Sequence, residues 1–371
     1  MIFDISDYNF KNIFNDKNFF LPIRWDGNDF ALTLQQLFAR YLEKVNSFNL
    51  RENINQGLSK NNIKKLDSIC NSIVRSVRKY LNGFPSEAFI CFKSVMDELI
   101  KIPLKTYYKS TYEYFERGSY DDPLKLFRAV NVTDNIPYNR ERVFHTPFNL
   151  RSKISTCRYS IAGYPSLYLG TSLELCCEEI RYNHHDKLGL AARFELERNF
   201  HRNNTEISVI ELAIKPQDFF GEENEDNFNS RKISRGLLYQ NEIREAYLVW
   251  YPLIAACSFM RVNKSDPFAA EYIIPQLLMQ WVRSKLRSHS KCNYNSLIGI
   301  RYFSCASERC SDMGFNYVFP VNCDNVKGDE RYCKVLSQAF RLTKPYFIHE
   351  YSNILDCEHA MLMDNNLDRI R

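Results

Sequence analysis

The sequence predicts an α+β fold, in which an N-terminal α-helical bundle precedes a region of mixed helices and strands. Within residues 1–120, apolar residues recur at spacings of three and four, which is typical of amphipathic helices. A turn-rich segment, residues 118–123, ends this part of the chain. Beyond it, short extended runs and helical patterns alternate irregularly, which favours α+β over a doubly wound sheet.

The N-terminal bundle is expected to contain three helices with one apolar face each. They are predicted over residues 30–48, 59–81 and 86–101. Ser59 and Ser86 are suited to cap the second and third helices, and Gly83 follows the end of the second. The second helix carries basic side chains on its outer face, at Lys60, Lys64, Lys65, Arg75, Arg78 and Lys79. A solvated surface and a site for an acidic partner or nucleic acid both stay open for this face.

The second region is expected to contain short strands with helices between them. The strands are predicted at Leu124–Val130, Ser166–Gly170, Leu190–Glu195, Ile207–Leu212, Leu248–Ile254 and Asn316–Pro320. Helices are predicted at Thr171–Tyr182 and Phe268–Leu286. The longest apolar stretch, Ala246–Met260, is interpreted as a strand, a turn at Tyr251–Pro252 and a second buried segment. Its 15 residues are fewer than the roughly 20 of a spanning helix, so no membrane association is expected.

Composition and charge limit the classes of function. Hydrophobic residues make up 45% of the chain, so a sizeable core is expected and disorder is excluded as the main state. The 49 basic and 44 acidic residues give a net charge of +5, which is too small to predict a nucleic-acid partner. The first residues lack the basic and apolar segments of a secretory signal.

The 12 cysteines contain no C-x-x-C pair and are interpreted as free thiols in a reducing compartment, the cytoplasm. Zinc is the alternative for four of them, at Cys305, Cys310, Cys323 and Cys333. Only the first two have ligand-like spacing, and no metal is expected.

One predicted helix brings a carboxylate next to apolar side chains. Thr171 begins a capping-box pattern that opens this helix. At about 100° per residue, Glu174 and Glu178 lie beyond one edge of its apolar arc, and Glu179 lies beyond the other edge. The spacing leaves two interpretations of Glu179, a satisfied residue at the boundary of the core or an active-site acid.

An ordered set of motifs resembles the RES domain family, which is named for its arginine, glutamate and serine. The run from Arg158 to Tyr168 carries R-Y-S, G-Y-P and L-Y, and Glu179 follows eleven residues after Tyr168. The serine context is present as Gly-Ile-Arg-Tyr-Phe-Ser, which ends at Ser304 between the motifs E-Y-I-I-P-Q and N-Y-V-F-P. The resemblance covers roughly residues 124–320.

The resemblance implies a domain organisation. Residues 121–340 would form a RES domain with a fold like that of diphtheria-toxin-type ADP-ribosyltransferases, followed by a C-terminal extension at 341–371. The segment Phe144–Phe148 and Arg151 resemble the branch of RES proteins that carries a helical N-terminal extension of the HEPN/RES type, which would account for the bundle in residues 1–120. Many HEPN domains are ribonucleases with an Arg-x(4–6)-His motif. The first histidine of this chain is His145, beyond the bundle, so ribonuclease activity of that kind is not expected.

The resemblance also implies a reaction, the cleavage of the nicotinamide–ribose bond of NAD+ with water or inorganic phosphate as acceptor. Glu179 would stabilise the oxocarbenium-like ribose and bind a ribose hydroxyl. Tyr168 would stack against nicotinamide, and Arg158 would bind the pyrophosphate or the incoming anion. Ser304 would bind the ribose or a phosphate by a hydrogen bond.

Several of these residues also have structural interpretations. Arg128 matches the arginine that opens a RES domain, and it either reaches the pocket or forms a structural pair. Tyr168 taken alone is a residue at the core edge, and His145 is expected to be a buried, hydrogen-bonded histidine. No Gly-rich phosphate loop occurs among the 12 glycines, so a Rossmann mode of binding is not expected.

The resulting functional interpretation is a cytoplasmic toxin or antiphage defence effector that consumes NAD+. Its expected partners are NAD+, an antitoxin or regulatory protein that restrains it, and a second copy bound through the helical bundle. Two alternatives stay open, an ADP-ribosyltransferase that modifies a macromolecule and a catalytically inactive interaction module.

Overall fold

The computed structural model describes residues 12–49, 60–102, 105–107, 124–183, 187–197, 207–219, 241–263, 265–289, 297–321 and 330–370. They form helices and a mixed sheet, so the predicted α+β class is confirmed. Contacts divide the chain into two compact units. The first comprises residues 1–105 and 213–281, and the second comprises residues 106–212 and 282–371.

The first unit contains the three predicted bundle helices. They are α1 (Phe30–Asn49), α2 (Lys60–Leu81) and α3 (Pro85–Leu99). Gly83 follows α2 at a φ of 85°, which suits a glycine after a helix end. The third helix begins one residue before the predicted cap, because Pro85 occupies its first turn and Phe84 is the N-cap; proline needs no N–H partner at this position. The predicted cap at Ser59 lies outside the described residues.

The predicted strand at 248–254 is wrong, because α5 (Asn241–Ala256) runs through this segment. The residues from Leu253 to Ala256 are all fully buried, and a helix that is apolar on every side suits such a site. Pro252 lies inside the helix and cannot donate to the carbonyl of Leu248. The Tyr41 hydroxyl on α1 donates to that carbonyl at 2.8 Å instead. Among the described residues, no helix is both long and apolar enough to cross a membrane.

Replacing Tyr41 with Phe is expected to reduce the free energy of unfolding by about 1 kcal/mol, because it leaves the partly buried Leu248 carbonyl without its protein donor. Urea unfolding measures the change. In a Pro252→Ala background the new N–H at position 252 can donate to the same carbonyl, so Tyr41→Phe should cost less there. Equal costs in both backgrounds would contradict this account of the hydroxyl.

The strands of the sheet are β1 (Lys105–Tyr107), β2 (Lys125–Val132), β3 (Ser166–Gly170), β4 (Leu188–Leu196), β5 (Ile207–Leu212), β6 (Leu297–Phe303), β7 (Phe315–Pro320), β8 (Phe340–Leu342) and β9 (Tyr346–Phe347). They lie in the order β1-β5-β6-β7-β3-β2-β4-β8, and β9 also pairs with β4. The other five predicted strands are thereby confirmed. Strands β5 and β6 are parallel, and a buried ion pair joins Glu211 on β5 to Arg301 on β6 at 2.9 Å.

The other α-helices whose bounds lie within the described residues are α4 (Leu173–Glu179), α6 (Ile273–His289), α7 (Lys334–Ala339) and α8 (Ile354–Met363). The first two confirm the helices predicted at 171–182 and 268–286. The residues after 340 were expected to form an extension, yet β8 and β9 pair with β4. The C-terminal residues therefore continue the sheet. Division of the chain at residues 120 and 340 into functional domains stays a prediction.

Candidate active site

Directly after the turn that follows β3, helix α4 packs closely on the sheet. A Cβ atom at Gly170 would lie 2.7 Å from the Sγ atom of Cys176, so a larger residue fits only if the thiol rotates or the helix moves. The Cys176 thiol donates to the carbonyl of Phe127 on β2 at 3.2 Å. Burial raises the pKa of this thiol to about 12. The cysteine therefore acts as a neutral packing residue.

The start of α4 is also bound to the loop that leads into β7. Ser172 is the N-cap, and its Oγ atom accepts the N–H of Leu175 at 3.2 Å. The Thr171 hydroxyl accepts the N–H of Phe315 at 2.9 Å. Gly314 has a φ of 133°, and a Cβ atom there would lie 2.3 Å from the Thr171 hydroxyl. These contacts fix the entry of the helix relative to β7.

The three glutamates of α4 have different partners, as the helical spacing predicts. Glu174 forms an ion pair with Arg309 at 3.2 Å, and Glu178 lies 4.0 Å from the thiol of Cys310. Glu179 is exposed, and its Oε1 atom accepts a hydrogen bond from Nδ2 of Asn316 at 2.7 Å. The carboxylate is therefore accessible to a ligand while its position is fixed from the sheet.

Asn316 belongs to one face of three neighbouring strands. It is opposite Gly170 on β3 and opposite Tyr302 on β6. Residues directly opposite one another, and residues two apart on a strand, share a face of the sheet. Tyr168, two residues before Gly170, therefore lies on the same face as Asn316 and Tyr302. The Asn316 side chain is buried, so its amide is an anchor rather than a surface group.

Three tyrosines are joined on this side of the sheet. The Tyr168 hydroxyl donates to the carbonyl of Tyr159 at 2.6 Å, and the ring of Tyr159 lies 4.6 Å from that of Tyr302 between centroids. Burial raises the pKa of Tyr302 well above its usual value, Glu179 and Tyr168 act in the same direction, and Arg158 opposes them. Arg158 directly precedes Tyr159 in the chain and so lies beside this group. We call Arg158, Tyr168, Glu179, Tyr302 and Asn316 the candidate site.

Arg128 lies where β2 and β3 separate. The register between these strands consists of one pair, Phe127 with Gly170. The Arg128 Nη1 atom donates to the carbonyl of Tyr168 at 2.9 Å. Its Nε atom is buried and has no hydrogen-bond partner among the described residues. Burial lowers the pKa of this guanidinium, and the charge of Arg142 adds to the effect.

Ser304 has a local contact. It directly follows β6 and is fully buried, and its Oγ atom accepts the N–H of Ala306 at 3.1 Å. The structure therefore places Tyr168 and Glu179 near Tyr302, with Arg158 next to Tyr159 in the chain, and gives Ser304 a hydrogen bond within its own turn. Its role in binding stays a prediction.

Sequence reasoning did not select two members of the candidate site, Tyr302 and Asn316. Both lie inside the motifs that resemble the RES family: Tyr302 lies two residues before Ser304, and Asn316 is the first residue of N-Y-V-F-P. The sequence feature that could have indicated Asn316 is a polar residue at the start of an otherwise apolar strand. No group of metal-ligating side chains occurs in the described parts of the chain.

His145 is a structural histidine, as expected. Its Nε2 atom accepts the N–H of Cys333 at 2.9 Å, so its Nδ1–H donates to the carbonyl of Thr146, also at 2.9 Å. Both nitrogens are used and the ring is fully buried. Burial lowers the pKa of His145 to about 4, so the native ring is neutral.

Acidification from pH 7 to pH 4 is expected to reduce the free energy of unfolding by about 3 kcal/mol through His145. The native pKa of about 4 lies below the ordinary value of 6.5, so the unfolded chain binds the proton first. The contribution of neutral His145 to the free energy of unfolding is fully present above pH 6.5 and is lost as the pH falls towards 4. His145→Gln keeps an acceptor without titration, and urea unfolding should show a correspondingly smaller loss. Identical pH profiles would assign the effect elsewhere.

Together these features define an α+β protein with an accessible carboxylate fixed over a tyrosine-rich sheet face. The chain is similar to a protein of Bacillus subtilis (strain 168) named "Putative toxin YopC". The two are 25% identical over 359 residues, which cover 94% of this chain and 72% of that protein. No protein-family model matches the chain, and no solved structure matches it.

Proposed function

We propose that this chain degrades NAD+ by cleaving its nicotinamide–ribose bond and acts as a toxin or defence effector. The observation that carries the proposal is the exposed Glu179 carboxylate, held at 2.7 Å by the buried amide of Asn316. The ordered motifs that resemble the RES family support the reaction. The similarity to a protein named a putative toxin supports the toxic role.

The chemistry of this cleavage suits a fixed carboxylate. As the C1′–N bond breaks, its electron pair moves to the pyridine nitrogen, nicotinamide leaves neutral, and positive charge develops on the ribose. A negative charge already in place stabilises that cation without reorganisation. Asn316 donates to one oxygen of Glu179, and the other oxygen can accept a ribose hydroxyl. Water then bonds to C1′ and releases one proton to the solvent, or an anionic oxygen of phosphate bonds to C1′ without loss of a proton.

The aromatic and basic residues of the site suit the rest of the substrate. Tyr168 and Tyr302 offer rings on the same sheet face for contact with nicotinamide. Arg158 would bind the pyrophosphate or the incoming anion. Arg128, with its buried Nε–H not bonded within the described residues, is a second candidate for an anionic oxygen, because a buried guanidinium gains most from a charged acceptor.

Turnover of NAD+ with and without inorganic phosphate tests this proposal. We expect release of nicotinamide together with ADP-ribose when water is the acceptor, or ADP-ribose 1″-phosphate when phosphate is the acceptor. Radiolabel from adenylate-labelled NAD+ should remain in the small-molecule fraction. Label retained on protein or nucleic acid would instead indicate transfer to a macromolecule. Intact NAD+ under both conditions would reject the proposal.

A further inference from the structure

The last helix, α8, packs on the helix that carries Glu179. Leu173 and Cys177 of α4 share a buried apolar cluster with Cys357 and Met361 of α8. The N-cap of α8 is Asn353, which accepts the N–H of Asp356 at 2.9 Å. The two helices therefore form one packed layer on the sheet.

The C-terminal end of α8 is attached to the sheet by Arg193 on β4. Its guanidinium donates to the carbonyl of Leu362 at 3.1 Å and to that of Asp364 at 2.7 Å. Glu195 pairs with the same guanidinium at 3.1 Å, and both side chains are almost fully buried. Tyr346 donates to the carboxylate of Asp364 at 2.9 Å. Helix α8 is thus fixed relative to β4 independently of α4.

From this fixed helix, Glu358 reaches the first residue of α4. Its Oε2 atom accepts the N–H of Leu173 at 2.6 Å, one of the N–H groups that a helix start leaves without an internal partner. Glu358 is half-buried, and burial raises its pKa while the Leu173 N–H lowers it. A bond from a carboxylate at this place both orients the helix and complements its dipole.

We propose that Glu358 is a positioning residue for Glu179, an inference that rests on the proposed NAD+ cleavage. Helix α4 spans only Leu173 to Glu179, about 9 Å along its axis at 1.5 Å per residue. A tilt or shift at its first residue therefore moves the carboxylate at its last residue. Asn316 contacts the last residue of α4, and Glu358 contacts the first residue, at the end where Thr171 and Ser172 also bind. The C-terminal residues 341–371 thereby belong to the catalytic unit.

The test compares variants that keep or remove the acceptor at position 358. Glu358→Gln retains an oxygen that can accept the Leu173 N–H, whereas Glu358→Met has similar length without that oxygen. Glu358→Asp keeps the charge but withdraws the oxygens by one methylene group. Glu174→Gln is the matched control, because it removes a carboxylate from the first turn of α4, the turn that Glu358 contacts at Leu173. Circular dichroism verifies folding, hydrogen exchange measures the opening of residues 173–179, and NAD+ turnover gives kcat and KM.

We expect Glu358→Met to speed exchange in α4 and to lower kcat roughly ten- to a hundredfold with little change in KM, as misplacement of a reacting group does. Glu358→Asp should show a smaller loss of the same kind, and it replaces the Met variant if that chain does not fold. Glu358→Gln and Glu174→Gln should resemble the wild type. Unchanged exchange and kcat in both the Met and Asp variants would overturn the proposal.

A wild-type chain that leaves NAD+ intact would reject the proposed function but not the structural coupling. In that case the hydrogen-exchange rates of α4 alone test whether Glu358 positions this helix. Faster exchange in Glu358→Met than in Glu358→Gln retains the positioning of α4 by Glu358, and equal rates reject it.

Discussion

Glu179→Gln is expected to lower kcat for NAD+ cleavage roughly 10²–10³-fold, the usual cost of removing one fixed electrostatic stabiliser of a transition state. The amide is nearly isosteric with the carboxylate, so packing of α4 and the KM for NAD+ should change little. Loss of the negative charge removes stabilisation of the oxocarbenium-like ribose only as the bond breaks. Initial rates of nicotinamide release measure the effect. Expression of this variant should also relieve the growth defect expected of the wild type.

Two neighbouring glutamates provide matched controls for this experiment. Glu174→Gln and Glu178→Gln make the same chemical change on the same helix, but Glu174 pairs with Arg309 and Glu178 lies near Cys310. Both should retain activity within a few-fold of the wild type. Equal losses in all three variants would indicate a general charge effect on α4 rather than a role of Glu179 in the reaction.

The elements that the sequence predicts well are those with a local signal. The bundle helices follow from apolar spacing, and β3 and α4 follow from a short run and a cap pattern. The sequence predicts that this pattern begins at Thr171, but the N-cap is one residue later, at Ser172. The strand predicted around Pro252 is wrong for a physical reason. A buried apolar run has no period that distinguishes a strand from a helix, and the donor that satisfies Leu248 comes from Tyr41, over 200 positions away.

In the candidate site, too, the sequence predicts the features with a local signal and not the contacts between distant residues. Helical spacing alone separates Glu179 from its two neighbouring glutamates, because the angle between side chains is a local property. The hydrogen bond from Asn316 to Glu179 depends on the pairing of β7 with β3, and it joins residues 137 positions apart. The contact between Glu358 and Leu173 spans 185 positions. Such contacts follow from the packing of the whole unit and have no local pattern.

Gly170→Ala is expected to lower kcat by about 100-fold, because it inserts a methyl group between β3 and α4. The new Cβ atom would lie 2.7 Å from Sγ of Cys176 and 3.5 Å from Oδ1 of Asn316. The chain is extended at Gly170, so alanine causes no backbone strain. Because the Cys176 thiol is bound to the carbonyl of Phe127, we expect the helix to move outward rather than the thiol to rotate. A shift of about 1 Å at Glu179 is sufficient for a loss of this size. Overpacking should also reduce the free energy of unfolding by about 1–3 kcal/mol.

The double variant Gly170→Ala/Cys176→Ala tests whether this steric contact is the cause. Removal of Sγ makes room for the new methyl group, so activity and stability should recover relative to Gly170→Ala alone. Cys176→Ala alone loses the thiol hydrogen bond to Phe127 and should have the smaller effect. A coupling energy above about 1 kcal/mol in the double-mutant cycle identifies the contact between the two positions. Additive losses would mean that Gly170→Ala acts elsewhere, and that close packing of α4 on β3 does not determine where Glu179 lies.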